Sequence, residues 1–149
     1  MKSQNFIKLN FPSKSVNEGF ARATVAAFCT QLDPTVEQIN DIKTAVSEAV
    51  TNCIVHGYRD TFGIVYITAT ITDSTVTIKI ADKGIGIEDV SRAMQPMFTT
   101  DPHGERAGIG FAVMQSFMDS VKVKSTPGKG TRVVMTKKIK SREQNVITA

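Results

Sequence analysis

Glu48, Asn52 and His56 stand four residues apart in the stretch SEAVTNCIVHGY, residues 47–58. Four residues is close to one helical turn, so a helix here lines up a carboxylate, a carboxamide and an imidazole. Such a row is either a catalytic rack or the wet side of an amphipathic helix, because Val46, Val50 and Cys53 form an apolar stripe opposite. The stretch alone does not decide between the two, although Ala45, Ala49 and Val55 are an odd detail. They are small or apolar, so the far side is not freely wet and the helix is expected to be covered on both faces. His56 also suits a plain structural hydrogen bond near the helix end.

Two more clusters carry chemistry. In DKGIGI, Asp82 follows an apolar strand and precedes Gly84 and Gly86. A carboxylate at a strand end can accept from an exocyclic amine, and glycines let a flat ring approach the backbone, which suits a purine. In ERAGIGF, Gly108 and Gly110 open a helix two residues after Arg106. Free N–H groups at a helix start and a guanidinium both suit phosphate. The phosphate-binding GxxxxGK[ST] loop is absent. GKGT at 128–131 comes nearest, but Gly130 stands at the Ser/Thr position and Val123 at the leading glycine.

The elements that must hold these groups follow from periodicity. Residues 6–11 alternate and read as a strand ended by Pro12, with Ile7, Leu9 and Phe11 on one side. Ser15 and Glu18 form a capping-box pattern, and Val16, Phe20, Ala23, Ala27 and Phe28 predict a helix over about 16–31. Asp33 or Thr35 caps a second helix, with Pro34 in its first turn. Its stripe of Val36, Ile39, Ile42, Val46, Val50 and Cys53 runs on to Gly57, which suits a left-handed C-terminal cap. GIVYITATI and TVTIKIA flank TDST as a hairpin. Residues 91–110 show no sustained period. Phe111, Met114, Phe117 and Met118 predict a further helix, and a second hairpin follows around TPGKG. Strands segregated from helices predict an α+β fold, a two-layer sandwich of a mixed or antiparallel sheet with helices on one face, as one domain over 1–149.

Composition narrows the function classes. Eighteen basic and fourteen acidic residues give +4, part of it in the run Lys137, Lys138, Lys140 and Arg142, read as a frayed tail. With no Trp and two Tyr, a nucleic-acid platform is not expected. Cys29 and Cys53 lack metal-site spacing and read as small core residues. No apolar run is long enough to span a bilayer, and MKSQNFIKLN is no secretory signal, so a cytoplasmic protein is expected.

In order stand E-x-x-x-N-x-x-x-H-G (Glu48, Asn52, His56, Gly57), D-x-G-x-G-I (Asp82, Gly84, Gly86, Ile87), G-x-G-F (Gly108, Gly110, Phe111) and G-T (Gly130, Thr131). This set resembles the GHKL-type ATP-binding fold of gyrase, a heat-shock chaperone family, histidine kinases and mismatch-repair ATPases. SEAVTN, IVHGY, MFTT, ERAGIGF and FMDSVKV narrow the resemblance to the bacterial anti-sigma factor kinases of sporulation.

The resemblance implies a role at each matching position. Asn52 coordinates Mg²⁺ on the phosphates of ATP, and Glu48 is the general base. Asp82, helped by Gly84 and Gly86, takes the adenine amine, and Thr131 lies near the ring. Gly108 and Gly110 hold phosphates, and residues 94–107 form a lid from which Arg106 reaches the γ-phosphate. The implied activity is an ATP-dependent protein serine kinase that inhibits a sigma factor and phosphorylates an anti-anti-sigma factor, as a homodimer. A detached histidine-kinase domain is a rival, but it needs a phosphoacceptor histidine on a dimerisation helix, and the chain has only His56 and His103. A non-enzymatic ATP-dependent binding module leaves Glu48 without a purpose. A gyrase-like clamp needs a transducer domain for which 149 residues leave no room.

Overall fold

The computed structural model describes residues 5–95 and 110–141. Five strands form one sheet: β1 (Asn5–Pro12), β2 (Ile64–Thr72), β3 (Thr75–Asp82), β4 (Ser120–Thr126) and β5 (Gly130–Lys138). Their order is β1-β2-β3-β5-β4, and every neighbouring pair is antiparallel. Helices α1 (Val16–Cys29), α2 (Val36–Thr51), α3 (Val90–Ala93) and α4 (Phe111–Phe117) complete the α+β architecture. No helix among the described residues is long and apolar enough to cross a membrane.

Strand alternation sets the core. Val65, Ile67, Ala69 and Ile71 of β2 and Val76, Ile78 and Ile80 of β3 are buried, as are Val133 and Met135 of β5. Against them pack Ile42, Ala45, Val46, Ala49 and Val50 of α2 and Phe111 and Met114 of α4. The two predicted hairpins are present, the first closed by Asp73 and Ser74 with Asp73 at φ 53°.

Several expectations are corrected. The buried face of α1 is Ala21, Val25, Ala26 and Cys29, whereas Val16 is 80% and Phe20 57% exposed. Ala23 and Ala27 are exposed as well. Ser15 makes no side-chain cap, because its own backbone is already helical (φ −54°, ψ −34°). The capping box occurs instead on α2, where Thr35 and Gln38 cap each other reciprocally. Pro34 therefore lies just before the cap, not in the first turn. Val36 of the predicted α2 stripe is exposed. Gly57 is not left-handed; the positive φ falls on Arg59. The basic run near the C-terminus is partly structural. Lys137 donates to the Phe117 carbonyl at 2.6 Å and lies 3.5 Å from Asp41, so it ties β5 to the end of α4 and to α2.

Candidate functional site

The α2 helix does not stop at Thr51 but widens. Residues Asn52–Gly57 form a π-helical turn, closed by the Tyr58 N–H donating to the Cys53 carbonyl at 2.9 Å. Such turns cost hydrogen-bond geometry and re-aim side chains, and they recur at functional positions. Here four of the six residues, Asn52, Cys53, His56 and Gly57, line a cavity of about 580 Å³. Its floor is the C-terminal part of β3 and the start of β5, through Ile80, Asp82, Thr131 and Val133. The loop from Ile85 to Asp89, Arg92 of α3, Phe111 of α4 and the Pro127–Gly128 turn complete the walls. A cavity of this size, mostly apolar with a few convergent polar groups, suits a drug-sized or nucleotide ligand.

Asp82 is the charged group at the floor, 7% exposed. Its carboxylate accepts from the Gly84 N–H at 2.9 Å, and also from the Cys53 thiol and the Thr131 N–H. Burial pushes its carboxyl above the ordinary carboxylate range, and those three donors pull part of the way back. Burial likewise pushes the Cys53 thiol well up, and the adjacent Asp82 charge adds to it, so the thiol keeps its proton and remains a donor. Gly57 makes room for this arrangement, since a Cβ there would lie 2.8 Å from the Asp82 Oδ2. Gly84 allows the next segment to close in, because a Cβ would run into the Gly57 carbonyl. That carbonyl accepts from the Ile85 N–H at 3.0 Å.

Gly86, at φ 76°, lies against the Thr126 carbonyl. It seats the loop on the β4–β5 turn, where the Gly128 N–H donates to the Ile85 carbonyl at 2.6 Å. Ser125 ties the same junction, accepting from the Ile87 N–H and lying 2.8 Å from the Thr131 hydroxyl.

Asn52 is the other polar group in the wall, 8% exposed. Both its Oδ1 and its Nδ2 are buried with no hydrogen-bond partner among the described residues. A buried amide left so costs free energy unless a ligand completes it. One turn earlier, Glu48 is half-buried and its carboxylate lies directly against Gly110, the left-handed residue (φ 83°) that starts α4.

The predicted residues thus come together in part. Asn52, Asp82, Gly86 and Thr131 line one cavity, Gly84 braces it through the backbone, and Glu48 and Gly110 meet beside it. Arg106, Gly108 and nearly all of the expected lid lie outside the described residues. Sequence reasoning missed Cys53 as an Asp82 partner and Gly57 as the gap that admits Asp82. The glycine next to His56 is the available signal, and a helix stop is the commoner use of a glycine at that place.

Comparison with known proteins places the chain in a family. Residues 11–137 match the family model described as "Histidine kinase-like ATPase domain". The chain is 62% identical over 141 residues to the anti-sigma F factor of Thermoanaerobacter sp. (strain X514), covering 95% of this chain and 99% of that one. It is 55% identical over 135 residues to the anti-sigma F factor of Clostridium acetobutylicum, covering 91% and 94%. Among solved structures, the RsbU and RsbW domains of a Mycobacterium tuberculosis protein superpose with a TM-score of 0.65 at 17% identity, over 91% of this chain and 32% of that one. The nucleotide-free catalytic domain of the histidine kinase ThkA gives 0.58 at 13% identity, over 95% and 99%.

Proposed function

The chain belongs to the anti-sigma F factors, within the histidine kinase-like ATPase domains, and on that premise we propose that its cavity carries ATP with the adenine on Asp82 and the phosphates beside Asn52. It is an ATP-dependent protein kinase that binds a sigma factor, and its acceptor is a serine of an anti-anti-sigma factor. The observation that carries the placement is the pair of buried polar groups in one cavity. Asp82 offers acceptor capacity on the floor, and Asn52 offers an uncompensated amide on the α2 wall.

The chain's own groups divide the work. The Asp82 carboxylate, oriented by Gly84, Thr131 and Cys53, accepts from the adenine amine. The Asn52 carboxamide fits Mg²⁺, which prefers one or two protein oxygens plus phosphates and water. When bound, that ion neutralises charge on the phosphates. Glu48, one turn before Asn52, takes the serine proton as the γ-phosphoryl is transferred. Gly110 keeps α4 close to Glu48 without a side chain between them. Arg106 and Gly108, outside the described residues, are assigned to the phosphates of ATP.

The protein acts as a homodimer, a reading supported by apolar groups left exposed on α1 and on β1 at the sheet edge: Phe6, Val16 and Phe20. The test is to incubate the protein with Mg-ATP and the candidate antagonist and weigh both by intact-mass spectrometry. The antagonist gains one phosphate with the parent protein. With Glu48→Gln, which cannot take a proton, transfer slows by about 10²–10⁴ while ATP still binds. No phosphate on any serine of the antagonist overturns the kinase reading, and parental transfer by Glu48→Gln removes Glu48 as base.

A further inference from the structure

Tyr58 directly follows the π-helical turn and is buried at 7% exposure. Its hydroxyl donates to the Ile64 carbonyl at the start of β2 and accepts from the Lys83 N–H at 2.8 Å. Lys83 is the residue after Asp82. Its side chain turns away, its Nζ lying 5.2 Å from the centre of the Tyr66 ring. The Tyr58 ring fills the space beside Gly63, where a Cβ would overlap it. One hydroxyl therefore joins the end of the turn that carries Asn52, the first residue of β2 and the residue next to Asp82.

We propose that Tyr58 is a positioning residue for base recognition, holding Asp82 at the depth and angle at which it accepts an exocyclic amine. This rests on the placement of adenine on Asp82. The other restraints on the Asp82 carboxylate, from Gly84, Thr131 and Cys53, fix its rotation. Of these, the Cys53 thiol ties the Asp82 side chain to the π-helical turn, but none holds the Asp82–Lys83 peptide itself. Gly57 approaches Asp82 without a hydrogen bond to its backbone, and the Gly57 carbonyl is engaged with Ile85. Without the hydroxyl, the Lys83 N–H and the Ile64 carbonyl lose their shared partner and the Asp82–Lys83 peptide can shift and tilt the carboxylate. Glu48 lies upstream on α2, outside this link, so the chemical step is untouched.

Tyr58→Phe keeps the ring beside Gly63 and deletes only the two bonds. ATP and inosine triphosphate, which carries an oxygen in place of the amine, are compared as phosphoryl donors. The parent prefers ATP. In Tyr58→Phe the KM for ATP rises about tenfold, the loss of the one hydrogen bond between Asp82 and the amine that the two deleted bonds hold in place. The KM for inosine triphosphate stays put, and so does kcat with ATP. A merely structural role would reduce the active fraction with both donors and leave their ratio unchanged, which overturns the proposal. In an Asp82→Asn background, Tyr58→Phe adds little, because both changes act on one contact. If Asp82→Asn itself leaves the KM for ATP unchanged, the adenine placement has failed. If it raises the KM while Tyr58→Phe does not, the placement stands and the role of Tyr58 is refuted. Amide exchange gives a readout on the parent protein alone. The Lys83 N–H, one residue past β3, exchanges as slowly as amides within β3, and rapid exchange there overturns the link.

Discussion

Replacing Asp82 with asparagine separates affinity from stability, and the structure fixes the expected direction of each. The carboxylate meets three protein donors, the Gly84 N–H at 2.9 Å, the Cys53 thiol and the Thr131 N–H, and still faces the cavity. An asparagine keeps one acceptor oxygen and turns the other into a donor. If the oxygen stays with Gly84, the new NH₂ confronts either a protein donor or the amine of the base. The loss is a hydrogen bond to a charged group, about 1.5–3 kcal/mol, so the Kd for ATP rises about 10- to 150-fold. Stability behaves differently, because Asp82 is held above its ordinary value of 3.8 by burial. The folded chain keeps that proton to higher pH than the unfolded chain does. Stability therefore falls as pH rises from 3.8 through the folded value, and the ionised form is a cost at neutral pH. Asp82→Asn removes the titration, so the variant's melting temperature loses part of its acid-range pH dependence. ATP affinity of the parent falls as pH drops through the same window, and that of the variant does not. Titration calorimetry with Mg-ATP and thermal melts across the acid range read both effects. A folded variant with parental ATP affinity refutes the adenine anchor, and identical pH slopes of stability refute the burial account.

Gly110→Ala puts a side chain on a left-handed residue at φ 83° and into the Glu48 carboxylate. It should cost about 1–2 kcal/mol of stability and, by displacing the base, about 10²-fold in transfer rate. An unchanged rate would show that the Glu48 position is not needed. Arg22→Glu replaces a cation that lies 3.2 Å from Glu18 and half-exposed on α1, at a cost of only a few tenths of a kcal/mol to the helix. It should weaken binding of the sigma factor or the antagonist in pull-downs and leave ATP affinity intact, and parental binding of both partners removes this face of α1 from the interface.

What the sequence made legible depends on how many physical solutions each stretch allows. The two hairpins were readable because β-branched alternation admits one register once Asp73 and Ser74 supply the turn. The α1 helix was readable as a helix but not in its phase. Val16, Phe20, Ala23 and Ala27 make one apolar stripe and Ala21, Val25 and Cys29 another. Packing on α2 selects the second, whose Ala21, Val25 and Cys29 are fully buried in the shared core, because small side chains let two helices pack closely and large ones do not. Capping failed for a similar reason. Ser15 and Thr35 both begin the same four-residue pattern, but only Thr35 enters from extended backbone (φ −70°, ψ 163°), where its hydroxyl can turn back. Ser15 follows a tight turn in which the Lys14 N–H already donates to the Pro12 carbonyl.

The lining of the candidate site was legible in part as residues and not as geometry. A spacing of four between Glu48, Asn52 and His56 implies one straight helical row, yet the helix widens at Asn52. Propensity does not report that widening, because no residue in NCIVHG disfavours an ordinary helix enough to force it. Its tertiary contacts go with it: with the extra residue in the turn, Gly57 lies against Asp82 while Tyr58 reaches Ile64 and Lys83. The cavity accordingly has two supports. Glu48 and Gly110 belong to the contact of α2 with α4, whereas Asp82, Gly57 and Tyr58 belong to the contact of the turn with β3. Substitutions at the first support should act on the rate of transfer, and those at the second on the choice and affinity of the base. The π-helical turn, the covalent bridge between Asn52 and Gly57, is what sets the distance from one to the other.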